Sequence, residues 1–546
     1  MDKSLKTSES SEKKPAVSWE EFERLKTQNS DLVVKNAELE QKLQWVMEQL
    51  GLAKKRQFGS SSEKSEYGQI DLFNEAETGA KEDAAEPELY ESIRPYTRKK
   101  GKRGIDNLPE GLPVEVVEHI LPADDQSCPK CGNALHVMGK EIREELKIVP
   151  AKAVIVRHIR YAYSCRSCEK SNTGVPVIKA PMPRPVIKGS FASPQAVAHI
   201  ATQKYVMCVP LYRQEQEWKR ARVELSRQTM SNWLLRTSGD WLEPIYNALR
   251  DLLLERDVLH ADETTLQVLH EAGKTAQSKS RMWLYRTGGD AEMPIVLFEY
   301  QPDRAAHRAQ TFLNGFSGYL HTDGYEGYHR LSEKLSQDIV VVGCWAHARR
   351  KFDEALKVLP KSRQADSGAL HGKQVCDKLF SIERGLADLT PEERLAKRQE
   401  LAKPVLDEFH HWLKNQNVGT SAFGKAVKYT LGQWKYLENY LLDGRLEVSN
   451  NRAENSIRPF TVGRKNWLFA NTPKGAKASA ILYSIIETAK QNDLDPYRYL
   501  EYIFTAAPNC DLNDPQALAA LLPNMAPDEC RITVKQTTLD ELSDPE

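Results

Sequence analysis

The segment EVSNNRAENSIRPF, Glu447–Phe460, sets one carboxylate, Glu454, among asparagines and arginines. That setting suits an acid that holds a cation while its neighbours orient it and bind phosphate oxygens. A single acid does not fix a hard divalent cation, so partner carboxylates are required. Two stand where short apolar runs end: Asp262 in DVLHADETTLQVL and Asp323 in GYLHTDGYEGY. Three acids brought together would hold cations able to work on a phosphodiester. Glu447 is the rival third ligand, but it precedes the expected helix start near Asn450 and has no amide cluster beside it, so Glu454 is preferred. A second, different set of ligands is CPKC at Cys128–Cys131 and CRSC at Cys165–Cys168. Paired Cys-x-x-Cys knuckles supply four thiolates, the donor set of one structural zinc ion.

The acids must be carried to one place by the elements around them. Asp262 is expected at the end of an apolar strand, and RMWLYRT and PIVLFEY read as two more strands about the turn GGDAEM. A helix is expected over Asp303–Asn314, stopping at Gly315. A fourth strand ends near Asp323, a short helix follows, IVVVGCWAH gives a fifth strand, and a helix opens at Ala346. The order strand, strand, strand, helix, strand, helix, strand, helix is ribonuclease H-like, and it sets the ends of the first and fourth strands side by side. Residues 353–443 read as a helical insertion with a capping box at Thr390–Glu393. The chain then returns through a helix that the SNN segment would cap, presenting Glu454 to the two aspartates.

Ahead of this core, the expected architecture is multidomain α/β. Residues 1–58 hold a helix in which Leu25, Leu32, Leu39 and Val46 recur every seven residues, with Phe22, Asn29, Asn36, Leu43 and Leu50 at the companion positions. Asparagines at two such positions favour a parallel dimeric coiled coil. Residues 59–108 are linker-like and include the basic run Arg98–Arg103, and 109–185 form the zinc ribbon. Residues 186–245 are helical, with Ser193 and Ser226 as caps. The helix opening at Ser226 presents Arg227, Gln228, Ser231 and Asn232, like the second helix of a helix-turn-helix. The catalytic core occupies 246–352 and 444–505, and 506–546 is a C-terminal tail.

Composition excludes little but directs attention to local charge. The 546 residues carry 76 Lys+Arg and 76 Asp+Glu, so net charge says nothing about nucleic acid. Between Arg445 and Lys490, however, eight basic residues face three acids. Asn451, Arg452, Arg458, Arg464 and Lys465 belong to that surface, and His347, Arg349 and Arg350 in CWAHARRKF lie near the same strand ends. His260 and His321 read as polar packing. No apolar run is long enough to cross a bilayer and no signal peptide is evident, so a cytoplasmic, nucleoid-associated protein is expected.

These motifs together resemble the transposases of insertion sequence 66: the zipper-like start, QFGSSSEK, the four-cysteine element, ADETT, HTDGYEGY, CWAHARRKF, NNRAENSIRPFTVGRKNWLF and the LLP tail. Asp262, Asp323 and Glu454 stand where that family has its Asp–Asp–Glu carboxylates. Ser60 and the LLPN of the tail depart from the family pattern, outside the catalytic motifs. The resemblance implies an enzyme using two magnesium (or manganese) ions to hydrolyse the element's ends and join the freed 3′-hydroxyls to target DNA. Its implied partners are the terminal inverted repeats, target DNA, a second copy through the coiled coil, and small accessory proteins encoded by the same element. The other classes compatible with these residues are a ribonuclease H-like structure-selective nuclease and a non-catalytic zinc-ribbon regulator.

Overall fold

The structure is a computed structural model and describes residues 19–21, 23–32, 35, 153–164, 177–331 and 338–532. Most of the heptad positions, the Arg98–Arg103 run and the ligands Cys128, Cys131, Cys165 and Cys168 lie outside the described residues. Within them, 23–32 is helical, and every one of its residues, Leu25 and Leu32 included, is exposed. A short antiparallel pair, β1 (Ala162–Ser164) and β2 (Val177–Lys179), is exposed throughout.

Four helices lead into the sheet: α1 (Pro194–Tyr205), α2 (Leu211–Arg220), α3 (Arg227–Thr237) and α4 (Glu243–Leu254). Ser193 and Ser226 cap α1 and α3, each accepting a backbone N–H at 3.1 Å. The sheet has five strands: β3 (Val258–Gln267), β4 (Lys279–Thr287), β5 (Val296–Gln301), β6 (Gly318–His321) and β7 (Ile339–Val342). Their spatial order is β5-β4-β3-β6-β7, with β3–β4 and β4–β5 antiparallel and β3–β6 and β6–β7 parallel. Helices α5 (Ala306–Phe312), α6 (Glu326–His329) and α7 (Trp345–Val358) follow β5, β6 and β7. The expected alternation of elements is present, with two differences. Helix α5 is shorter than Asp303–Asn314, because the Asp303 carboxylate folds back onto Ala305 N and the Arg308 guanidinium. Asp262 lies inside β3, not at its end, because β4 continues to pair with β3 as far as Gln267. Only the parallel pairing to β6 stops before it, at His260.

After α7 come α8 (Gly368–Gly385), α9 (Pro391–Lys414) and α10 (Ala422–Leu437), with the Thr390–Glu393 capping box formed. They build a second core with α7, in which Trp345, Phe352, Phe409 and Trp434 pack together. Buried Arg398 closes this excursion. All of its N–H-bearing nitrogens are engaged, with Glu383 (2.7 and 2.9 Å) and the carbonyls of Tyr440 (3.0 Å), Asp443 (3.0 Å) and Leu446 (2.7 Å). That clasp fixes the chain immediately before Glu447.

The chain then re-enters the sheet layer as α11 (Asn451–Trp467), α12 (Pro473–Gln491) and α13 (Pro496–Ala506). Helix α11 packs on β3 and β4, and α12 covers the outer edge of β5. Thr488 Oγ1 accepts from Val296 N (3.0 Å) and donates to Val296 O (2.9 Å), while Ser484 Oγ accepts from Phe298 N (2.7 Å). The unpaired edge of the sheet is thereby satisfied by side chains of a helix. One hydrophobic core runs from Val186 through the sheet to Cys530, so the helices of 186–245 share a core with the strands. Leu521 and Leu522 are buried in it, so the segment after 506 packs against the fold through its described part.

Candidate active site

The parallel register places His260 opposite His321. Two residues further along each strand's chain stand Asp262 and Asp323, at the same level just past the end of the β3–β6 pairing. Asp262 is oriented by Glu263 N, which donates to Oδ1 at 2.8 Å. Beyond β6 the chain turns, and Asp323 Oδ1 accepts Tyr325 N at 2.9 Å. Beneath them the two histidine rings stack at 4.8 Å with an interplanar angle of 5°. Both are fully buried, and burial depresses each to a pKa of about 3, so they are neutral packing groups.

Glu454 comes from the first turn of α11. Asn450 occupies the cap position, but its side chain does not cap the helix. It donates from Nδ2 to Ala261 O (2.8 Å), and its Oδ1 lies 2.9 Å from His260 Nδ1. Its own N–H donates to Cys344 Sγ at 3.1 Å. One buried amide thus ties the start of the Glu454 helix to the strand carrying Asp262 and to the start of α7. Tertiary partners, His260 at Oδ1 and Ala261 O at Nδ2, take the amide in place of the local cap that the SNN segment suggests.

Burial holds Asp262 well above the usual carboxylate range, and the charges of Glu263, Asp323 and Glu454 push it further in the same direction. Three acids from distant parts of the chain are therefore close enough to repel. Two of them, Asp323 and Glu454, have a basic neighbour. Arg304 Nη2 is 3.9 Å from Asp323 Oδ2, and Arg350 Nη2 is 3.3 Å from Glu454 Oε2. The other Glu454 oxygen, Oε1, is buried without a hydrogen bond and faces His347 Nδ1 at 3.7 Å. Mutually repelling carboxylates with an unsatisfied buried oxygen fit a divalent cation.

Glu447 is placed differently. Its carboxylate pairs with Arg452 Nε at 2.5 Å and lines a polar cavity with Arg286, Asn451, Asn455, Ser456 and Gln491. Among the expected DNA contacts, Arg227, Gln228, Asn232, Asn451, Arg458 and Lys465 are exposed, and Ser231 is half-buried. Four arginines are engaged within the fold: Arg349 with Asp377 of α8, Arg350 with Glu454, Arg452 with Glu447, and Arg464 with Thr264 and Thr265 of β3. Two site residues were not foreseen. Glu263 is buried on the opposite face of β3, bonded to Arg304 Nε (2.6 Å) and Tyr328 Oη (3.0 Å). Arg304 spans Glu263 and Asp323 while stacking on Tyr325 at 3.8 Å. The Glu directly after Asp262 was the available signal, since neighbours in a strand face opposite ways.

Comparison with known proteins adds what geometry cannot. The family model described as Transposase IS66 family matches residues 189–478, and the zinc-finger binding domain of transposase IS66 matches 125–169. The IS66 C-terminal element matches 484–524, and Transposase C of IS166 homeodomain matches 45–117. Two uncharacterized proteins of Sinorhizobium fredii (strain NBRC 101917 / NGR234) are similar. Protein y4jD is 33% identical over 74% of this chain and 78% of its own length. Protein y4qI is 30% identical over 84% of each. The solved Drosophila P element transposase strand transfer complex covers 61% of this chain at 11% identity and a TM-score of 0.30, too distant to carry an argument. Among the described residues no helix is long and apolar enough to cross a membrane.

Proposed function

Because this chain belongs to the IS66 transposase family, we propose that its sheet and α11 form a ribonuclease H-like catalytic core in which Asp262, Asp323 and Glu454 are the catalytic carboxylates. The observation that supports this reading is geometric: the β3–β6 register sets Asp262 and Asp323 at one level, and Asn450 bonds the start of the Glu454 helix to the strand that carries Asp262. These residues would hold two divalent cations, magnesium or manganese. When bound, such ions supply Lewis-acid activation of the phosphodiester and its nucleophile. The chain's own contribution is placement. Asn450 sets the Glu454 helix against β3, Arg304 holds Asp323 next to Glu263, and Arg350 balances Glu454 until a cation does so. Asp262 would hold a cation as its carboxylate, which the positive charge of that cation would favour.

The reaction proposed is hydrolysis at the element's ends followed by attack of the freed 3′-hydroxyl on target DNA, with no covalent protein–DNA intermediate. Arg458, Lys465 and the exposed face of α3 are the proposed phosphate and base contacts. Residues 109–185 are proposed to carry zinc on Cys128, Cys131, Cys165 and Cys168, and residues 18–50 to pair the protomers. The test is to incubate the protein with labelled element ends and magnesium. The wild type should give cleaved and joined products, whereas Glu454→Gln binds DNA but yields neither. Glu447→Gln should retain most activity. Wild-type rates in Glu454→Gln would refute the assignment, and cleavage without joining in the wild type would favour a structure-selective nuclease.

A further inference from the structure

Near the three acids lies a group that the carboxylate scheme does not use. Helix α7 begins at Trp345 with Cys344 as its cap, which brings His347 and Cys344 to the same side as Glu454. One atom from each, His347 Nδ1, Cys344 Sγ and Glu454 Oε1, all lie within 4.8 Å of one another. His347 Nδ1 and Glu454 Oε1 are both buried and both without a hydrogen bond. Their separation, 3.7 Å, is too long for one. Arg350 already faces the other oxygen of Glu454 at 3.3 Å, so Oε1 is the oxygen left to accept a further partner.

Two buried ligand atoms that face each other without bonding leave room for an ion between them. An imidazole nitrogen and a carboxylate oxygen on one ion, each bonded at about 2.0–2.2 Å, lie roughly 3.0–3.5 Å apart. Closing from 3.7 Å takes a small side-chain rotation. We propose that His347 is a metal ligand, its Nδ1 sharing with Glu454 Oε1 a single divalent transition-metal ion. This rests on the reading of Glu454 as a catalytic carboxylate and adds a nitrogen donor to that position. Magnesium favours an all-oxygen shell, so an imidazole in the set biases the position toward manganese-class ions. Cys344 backs the pair. Its sulfur accepts the Asn450 N–H at 3.1 Å and fixes the start of α11 against the start of α7.

The experiment uses the full-length, zinc-loaded chain without DNA and Mn²⁺ as the probe. Pulsed electron paramagnetic resonance of the bound ion should show coupling to a ¹⁴N nucleus. In His347→Gln that coupling should vanish, and Mn²⁺ should bind at least about ten-fold more weakly, the least that even an indirect partner of a metal is worth. Less Mg²⁺ should then be needed to displace Mn²⁺. Glu454→Gln should lose both the coupling and the ion. No nitrogen coupling in the wild type, with Mn²⁺ binding still weakened by Glu454→Gln, overturns the role of His347 and leaves the carboxylate reading standing. Coupling that survives either substitution also overturns it, because the nitrogen then belongs to another residue or another ion. If neither substitution alters Mn²⁺ binding, both readings fall.

Discussion

Replacing Asn450 with alanine should separate the helix that carries Glu454 from the strand that carries Asp262. The side chain is fully buried and makes two contacts across that junction, to Ala261 O at 2.8 Å and to His260 Nδ1 at 2.9 Å. Truncation leaves a buried carbonyl and a buried ring nitrogen unpaired, each costing about 1–3 kcal/mol. The expected loss is therefore about 2–6 kcal/mol, toward the lower figure where a water enters the polar hole. The neighbour Asn451 is an internal control. It is exposed, and its alanine variant should stay within about 0.5 kcal/mol of wild type. Urea denaturation followed by fluorescence of the buried Trp283 and Trp345 reads the difference. Asn450→Ala should also cut element ends far more slowly while binding them nearly as well. Equal stability of Asn450→Ala and wild type, or equal losses for both asparagines, would refute the reasoning.

Further expectations follow from the same geometry. Asp262→Asn and Asp323→Asn should abolish cleavage as Glu454→Gln does, and pairs of these changes should lose little more than one, because the acids act as a unit; additive losses in a cleavage assay would contradict this. Arg398→Met leaves the Glu383 carboxylate and three carbonyls without their donor, and should cost about 3–5 kcal/mol in a denaturation experiment, with cleavage lost alongside. His260 and His321 exclude protons that the unfolded chain accepts between pH about 6.5 and about 3, so their contribution to stability is lost as pH falls through that window. Asp262 and Glu263 act in the opposite sense, so the term is read as the change in pH slope between wild type and a His260→Asn variant, which should be shallower on acidification. Metal analysis of the full chain should find about one zinc per protomer, lost in a Cys128→Ser, Cys131→Ser double variant.

Much of this arrangement is written in local pattern. Apolar runs ending in Asp262 and Asp323, and polar residues around Glu454, marked the three elements that meet, and the alternation of strands and helices implied that the first and fourth strands lie side by side, as β3 and β6 do. What the chain does not reveal locally is decided by distant partners. The length of β3 depends on how far β4 accompanies it, so Asp262 was placed at an end that does not exist. Asn450 has the residue type of a helix cap, yet its amide is claimed by Ala261 and His260. A run of basic residues does not say which of them is already matched, and Arg349 and Arg464 are engaged by partners remote in sequence. The pairing of Glu263 with Arg304 depends on the turn after β5 returning Arg304 to β3, which no spacing in the sequence announces.

The covering of β5 by α12 has a consequence for synthesis. Val296 and Phe298 find their outer hydrogen-bond partners in Thr488 and Ser484, so the edge is bare until the ribosome has added nearly two hundred residues. At about 5–20 residues per second, that interval lasts roughly 10–40 s. During it the nascent sheet presents a ready strand edge beside a hydrophobic surface, and the third acid has not yet emerged for most of that time. A chain broken off before Glu454 should therefore be both inert and prone to edge-to-edge pairing with its own kind. Premature truncations of this element's product would be removed as aggregates instead of lingering to occupy the DNA ends that intact copies need.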